Sequence, residues 1–256
     1  MRSCFNDIDA VFFDLDDTLI LHQRELDALA GDTFDAFASH LSHLERAPFL
    51  DTFFAKSRDL WYMMEDGVLP GDVAEMYAFI NTLRSLDAPE SLARSMHSHF
   101  EQLVLENTVV MDCAVDVMKA LGALGKAVAI VTNGYGGKQR RKARYHGLDQ
   151  HVAFVMSSED AGCYKPLPGI FEKAAQRVGA RPECCVFVGD MISTDIRGAH
   201  AAGMKAVLID VKNRWGDRLA AGEVESPDMM IRALPELLSV IHPAKDADKE
   251  KRAQDA

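Results

Sequence analysis

Three carboxylates crowd the end of an apolar run. In VFFDLDDTLI, Val11 to Ile20, Asp14, Asp16 and Asp17 fall within four residues. Like charges this close repel, and carboxylates leave water only at a cost, so a cation or a catalytic duty must offset them. Three further polar clusters follow apolar runs: Thr132-Asn133-Gly134, Lys165-Pro166, and Gly189-Asp190 with Asp195 five residues on. Carboxylates without histidine or cysteine partners select a hard, oxygen-loving cation, foremost Mg²⁺. That ion would offset Asp14 and Asp190 and draw in an anionic phosphate. A carboxylate then serves as nucleophile and forms an aspartyl-phosphate. Lys165, Thr132 and free backbone amides stabilise the transferring oxygens. Asp16 reaches the leaving group as a general acid and later activates water as a base. Strand alternation places Asp14 and Asp16 on one face.

The elements that must hold these residues read as follows. Residues 8–14, IDAVFFD, form a buried strand. Residues 19–107 read as helices only. One covers ELDALAGDTFDAFASHLSHL, with Leu26, Leu29, Phe37, Leu41 and Leu44 near helical spacing. A second has Pro48 in its first turn, a third opens on a capping box at Asp72, and a fourth is PESLARSMHSHFEQLVLE. EDGVLPGD breaks the second from the third. From residue 108 strands and helices alternate, which predicts βαβ units on a parallel sheet. The strands are continuous apolar runs, as doubly covered strands should be. The fold class is therefore α/β, a doubly wound Rossmann-like parallel sheet with an inserted all-helical domain. Its core covers residues 1–18 and 108–242, the insertion 19–107, and a charged tail 243–256 should fray. Ligands bind at the carboxyl ends of strands in open α/β sheets, and the insertion leaves from that end, so it should lie over the site like a lid.

The motifs DLDDTL, VTNG, YKP and GDMISTD, in that order, resemble the four motifs of the haloacid dehalogenase-like (HAD) superfamily, and the insertion resembles its C1-type helical cap. The resemblance covers about residues 8–241. It implies that Asp14 is the nucleophile, and that Asp16 is the acid/base and gives its backbone carbonyl to Mg²⁺. It implies that Thr132, with Asn133 and Gly134 beside it, binds phosphate, and that Lys165 steadies nucleophile and phosphate. Asp190 matches the metal ligand, and Asp195 the second acid of the last motif, which holds the metal's water shell or Lys165. Asp17 has no role in the pattern and reads as a polar turn residue. The dehalogenases of the superfamily lack the second acid, the mutases commonly carry Gly-Val after it, and phosphatases often show D-x-D-x-T, as here. Within the phosphatases, Gln139, Gly147-Leu148, Ser158-Glu159, Gly162 and Ile170-Phe171 look most like nucleotide 5′-monophosphatases and N-acylneuraminate-9-phosphatases. The implied function is Mg²⁺-dependent hydrolysis of a nucleoside monophosphate or sugar phosphate. The alternatives are a sugar-phosphate mutase and a non-catalytic binding module of the same fold.

Composition sets outer bounds. The net charge is −11, which argues against a nucleic-acid polymer as partner. No apolar run approaches a membrane span and no signal peptide opens the chain, so a cytoplasmic protein is expected, its five cysteines kept reduced. Monomer and homodimer both remain open. The basic run KQRRKAR, Lys138 to Arg144, reads as a solvated helix face. His97 and His99, like His40 and His43, read as helix-surface residues, and Cys184-Cys185 as core packing at the start of a strand. Trp61, Tyr62, Met63 and Met64 read as core of the insertion. Asn213, Arg214 and Trp215 stand at the sheet edge from which they would reach substrate or cap.

Overall fold

The computed structural model describes Phe5, residues 7–65 and residues 71–241. The chain divides into two units, residues 1–21 with 110–256, and residues 22–109. The side chains of Trp61, Tyr62, Met64 and Asp72, the break at 66–70 and the tail 243–256 lie outside what is described; Met63 is exposed.

The first unit is built on strand β1 (Ala10–Phe13). Its four residues are fully buried, because each face packs on its own core. Val11 and Phe13 join one cluster and Ala10 and Phe12 the other, the period-2 alternation of a strand covered on both sides. Two short strands follow, β2 (Ile20–His22) and β3 (Thr108–Val110), which pair as a separate ribbon. The other sheet strands are β4 (Ala127–Thr132), β5 (Val155–Ser157), β6 (Cys185–Gly189), β7 (Lys205–Ile209) and β8 (Met229–Ile231). The sheet is six-stranded and parallel, in the order β5-β4-β1-β6-β7-β8.

Helices α1–α4 belong to the second unit: α1 (Leu26–Ala36), α2 (Arg46–Glu65), α3 (Gly71–Ser85) and α4 (Ala93–Glu106). They bury Phe34, Phe49, Phe53, Phe79 and Phe100 together. The ring centroids of Phe53 and Phe79 are 4.5 Å apart. Two details differ from the sequence reading. α1 stops at Ala36, and Ala38–His40 form a separate tight turn rather than continuing the helix. Residues 20–22 are strand, because chain leaving and re-entering the first unit satisfies its backbone groups on itself.

In the first unit, α5 (Ala114–Ala123) and α6 (Gly136–Tyr145) cover one sheet face. The other is covered by α7 (Ser158–Ala161), α8 (Pro168–Arg177) and α9 (Arg197–Ala201), and α10 (Gly216–Ala220) follows β7. The chain builds from β1 to β4 and β5 on one side, then crosses to β6, β7 and β8 on the other. That reversal opens a crevice at the carboxyl end of β1. No described helix is long and apolar enough to cross a membrane.

Candidate active site

The polar clusters meet at this crevice. Asp14 follows β1 directly, and its N–H donates to Val188 O at 2.9 Å, so β6 holds its backbone. Asp190 follows β6 and is 4% exposed; Asp195 is fully buried in a π-helical turn, Ile192–Ile196. Carboxylate oxygens of Asp14, Asp190 and Asp195 lie within 4.8 Å of one another. Lys165 enters from the loop after α7, 2% exposed. Its Nζ stands 2.8 Å from Asp14 Oδ1 and 2.7 Å from Asp195 Oδ1.

Three buried acids around one lysine carry unbalanced charge. Burial pushes the Asp14 carboxyl up to about 6; Lys165 opposes this, while Asp195 and Asp16 add to it. Burial pushes Asp190 up to about 7, with Asp195 and Asp14 adding and Arg214 opposing. Burial alone would lower the Lys165 ammonium, but the charges of Asp14 and Asp195 outweigh it and leave the group raised. The surplus is negative, the donors are all oxygen, and the cluster is shielded from water. That set suits a hard divalent cation.

The supporting contacts explain why these residues stand where they do. Asp195 accepts from Met191 N at 3.0 Å as well as from Lys165, so its carboxylate closes its own turn. Gly189 makes room for it, since a β-carbon there would overlap the Asp195 carboxylate. Asn133 pins the Lys165 backbone from both sides. Its Nδ2 donates to Lys165 O at 3.0 Å, and Lys165 N donates to its Oδ1 at 2.8 Å. Gly134, at a φ of +120° that favours glycine, donates its N–H to Ser158 Oγ at 2.9 Å. The Asn133 side chain and the Gly134 N–H, expected beside a phosphate, are thus committed to positioning the Lys165 loop and the start of α7. Thr132 ends β4, 2% exposed, with its hydroxyl accepting from Gln139 Nε2 at 3.1 Å.

Asp16 is placed by a turn, not by strand pleat. β1 ends at Phe13, and Leu15 O accepts from both Leu19 N and Ile20 N, which curls the chain back on itself. Asp17 takes a positive φ of 56° in that turn, tolerable for aspartate, and pairs with Lys212 at 3.2 Å. Asp16 meets the inner face of α6. Lys142 Nζ stands 2.7 and 2.8 Å from its two oxygens, and Gln139 Nε2 donates to it at 3.2 Å. The KQRRKAR run is therefore not one solvated face. Lys142 and Gln139 are buried, and the signal was present in their spacing of three, which sets both on one side of a helix.

Arg214 and Trp215, expected to reach substrate or cap, contact Asp190, with the Arg214 side chain still 39% exposed. The Arg214 guanidinium pairs with Asp190 Oδ2, and Trp215 Nε1 donates to Asp190 O at 2.9 Å. Buried Asp210, missed in the sequence, holds their backbone: Arg214 N and Trp215 N donate to its oxygens at 2.7 and 3.1 Å. Asn213 accepts from Arg232 Nη2 at 2.8 Å. Cys184 and Cys185 are buried free thiols, and burial pushes the Cys185 thiol up to about 12. In the second unit His97 lies between Glu75 and Glu101, 3.5 and 3.9 Å from their carboxylates, while the His99 ring packs edge-on to Phe37.

A doubly wound parallel sheet, with the acids that follow β1 and β6 gathered around buried Lys165 at its switch point, defines the class of protein. The chain belongs to the haloacid dehalogenase-like hydrolases, whose family model matches residues 8–203. It is 37% identical over 133 residues to a glyceraldehyde 3-phosphate phosphatase of Methanopyrus kandleri, a stretch covering 52% of this chain and 57% of that protein. It is 29% identical over 249 residues to the glyceraldehyde 3-phosphate phosphatase of Pyrococcus furiosus, covering 95% and 97%. Among solved structures, the HAD-hydrolase YfnB of Bacillus subtilis bound to magnesium matches with a TM-score of 0.65 at 21% identity, over 92% of this chain and 99% of that one.

Proposed function

We propose that this hydrolase is a Mg²⁺-dependent phosphatase that cleaves a small phosphorylated metabolite through an aspartyl-phosphate on Asp14. One observation carries the reading: two acids with different surroundings stand two residues apart. Asp14 is sealed against Lys165 and two further carboxylates, where its oxygen faces an anionic, buried site. Asp16 is held apart against α6 by Lys142 and Gln139, its side chain 30% exposed, where it can exchange protons with leaving group and water. A nucleophile and a proton carrier need that separation.

Asp14, Asp190, Asp195 and the backbone carbonyl of Asp16 would hold the ion. Bound there, Mg²⁺ supplies positive charge against the phosphate oxygens. The chain's residues do the rest. Lys165, fixed by Asn133 and Asp195, aims its ammonium at the charge that develops on the transferring group. Thr132 offers its hydroxyl to a phosphate oxygen. Asp14 forms its bond to phosphorus as the bond to the leaving oxygen breaks, and Asp16 gives that oxygen a proton. Asp16 then takes a proton from water as water's oxygen displaces Asp14, and phosphate departs. The second unit acts as the cap, and cytoplasmic residence accords with the free thiols. The relatives' names put glyceraldehyde 3-phosphate beside nucleoside monophosphates and sugar phosphates among the substrates to try.

The test is phosphate release across that panel. Wild type should turn over at least one class with Mg²⁺ and none with EDTA. Asp14→Asn should fall by at least about 10⁴-fold with its melting temperature kept, as for loss of a nucleophile. Substantial residual turnover would remove Asp14 from that role, and free phosphate rather than an isomeric product separates a phosphatase from a mutase.

A further inference from the structure

We propose that Lys142 and Gln139 are positioning residues that hold the Asp16 carboxylate where it takes the proton from water in the second half of the reaction. The inference rests on the phosphatase reading above.

Lys142 is unlike the rest of its basic run. Arg140 and Arg144 pair with Asp160 and Asp149 while remaining 45% and 78% exposed. The Lys142 side chain is 8% exposed. A lysine on a surface helix ordinarily lays its stem along the protein and lifts its ammonium into water. This one turns the ammonium inward and meets both oxygens of one carboxylate, at 2.7 and 2.8 Å. Gln139, one helical turn earlier and 4% exposed, adds a third hydrogen bond at 3.2 Å. The same Gln139 Nε2 contacts Thr132 Oγ1 at 3.1 Å and Asn133 O at 2.8 Å. Asn133 in turn pins the Lys165 backbone. The proton carrier, the phosphate hydroxyl and the charge-bearing lysine are therefore hung on one hydrogen-bonded frame, with the inner face of α6 as its anchor.

Three hydrogen bonds donated to one carboxylate match the form that accepts a proton. Asp16 sits in a turn, where the side chain would otherwise sample several rotamers. Fixing it removes that freedom at the moment water must be deprotonated. In this step the water O–H bond breaks toward Asp16, the water oxygen bonds to phosphorus, and the Asp14–phosphorus bond breaks. Lys142 keeps its own protons throughout.

4-Nitrophenyl phosphate separates the two halves, because its leaving group departs without needing a proton. Its kcat/KM reports only the transfer to Asp14, and its kcat includes hydrolysis of the aspartyl-phosphate. In Lys142→Met, kcat should fall about 100-fold, the scale of one general-base contribution. The kcat/KM for this substrate should stay within about threefold of wild type. A burst of one 4-nitrophenol per enzyme should precede the slow steady state. Lys142→Arg should recover most of kcat, and Gln139→Leu should show the same split more weakly. A common fall in kcat and kcat/KM without a burst, or no fall in either, would overturn the inference. If Lys142→Met melts early, Lys142→Gln is read by the same burst. A wild type inactive on every phosphate ester would instead sink the phosphatase reading and this inference with it.

Discussion

At the scale of single residues, the site stores its tension in Asp190. An aspartate ordinarily titrates at 3.8, and burial lifts this one to about 7. Between those values the folded chain holds a proton that the unfolded chain has released. The stability from this group is full below about pH 4 and is lost as pH rises through about 7. Above that, without a cation, Asp190 is a buried charge opposed chiefly by Arg214. Asp190→Asn should leave the metal-free protein unchanged near pH 4 and stabilise it at pH 8, by on the order of 2–4 kcal/mol. Adding Mg²⁺ at pH 8 should raise the melting temperature of wild type and not of the variant. Equal melting of the two at pH 8 with EDTA would remove the buried charge. Asp14 and Asp190 were legible in the sequence because each directly follows an apolar strand. Lys142 was legible only in part: its spacing of three from Gln139 sets both on one side of a helix, but its partner Asp16 lies 126 residues away, and a helix run of five cations looks solvated until the sheet sets which side faces in.

Elements explain why the acids converge. β1, β4 and β6 are short, apolar and parallel, so their ends fall at one level and deliver Asp14, Thr132 and Asp190 together. That much follows from hydrophobic runs and strand–helix alternation. The joints between elements follow from tertiary contacts and were less legible. Asp195, six residues past β6, is buried in a π-helical turn with its carboxylate bent back to Met191 N and Lys165. Gly189 is what admits that bend. Gly189→Ala should push the Asp195 carboxylate off Lys165 Nζ. The overlap should cost about 1–3 kcal/mol of stability and lower kcat by about 100-fold, as misplacement near a reacting group does. Denaturation midpoint and kcat check it; unchanged values for both would mean that β6 can shift to accept a methyl group. The expected strand alternation of Asp14 and Asp16 fails for a related reason, since β1 ends before either residue and the turn closed on Leu15 O takes over.

For the molecule as a whole, the question is how far each unit depends on the other for its fold. The sequence places an all-helical stretch between the first strand and the rest, and the chain does divide into residues 22–109 and the remainder. Each has its own apolar core, one around five phenylalanines and one on each face of the sheet. The joints sit close within each unit. Met111 N donates to Leu19 O at 2.8 Å in the first, and Gln23 N to Asn107 O at 2.8 Å in the second. Excising residues 23–107 therefore requires only a short turn to close the gap, and closing so short a loop costs little entropy. The excised chain should keep a cooperative melt and the far-ultraviolet signature of an α/β protein, because every sheet strand and both of its cores remain. It should also keep the Asp14, Lys165, Asp190 and Asp195 cluster, so Mg²⁺ should still raise its melting temperature. If the second unit is a cap that excludes water and selects substrate, kcat/KM on preferred metabolites should fall more than on 4-nitrophenyl phosphate, since a small activated ester needs little selection. A chain that fails to fold without residues 23–107 would show that the sheet cores need the helical unit; equal losses on both substrates would take substrate selection away from it.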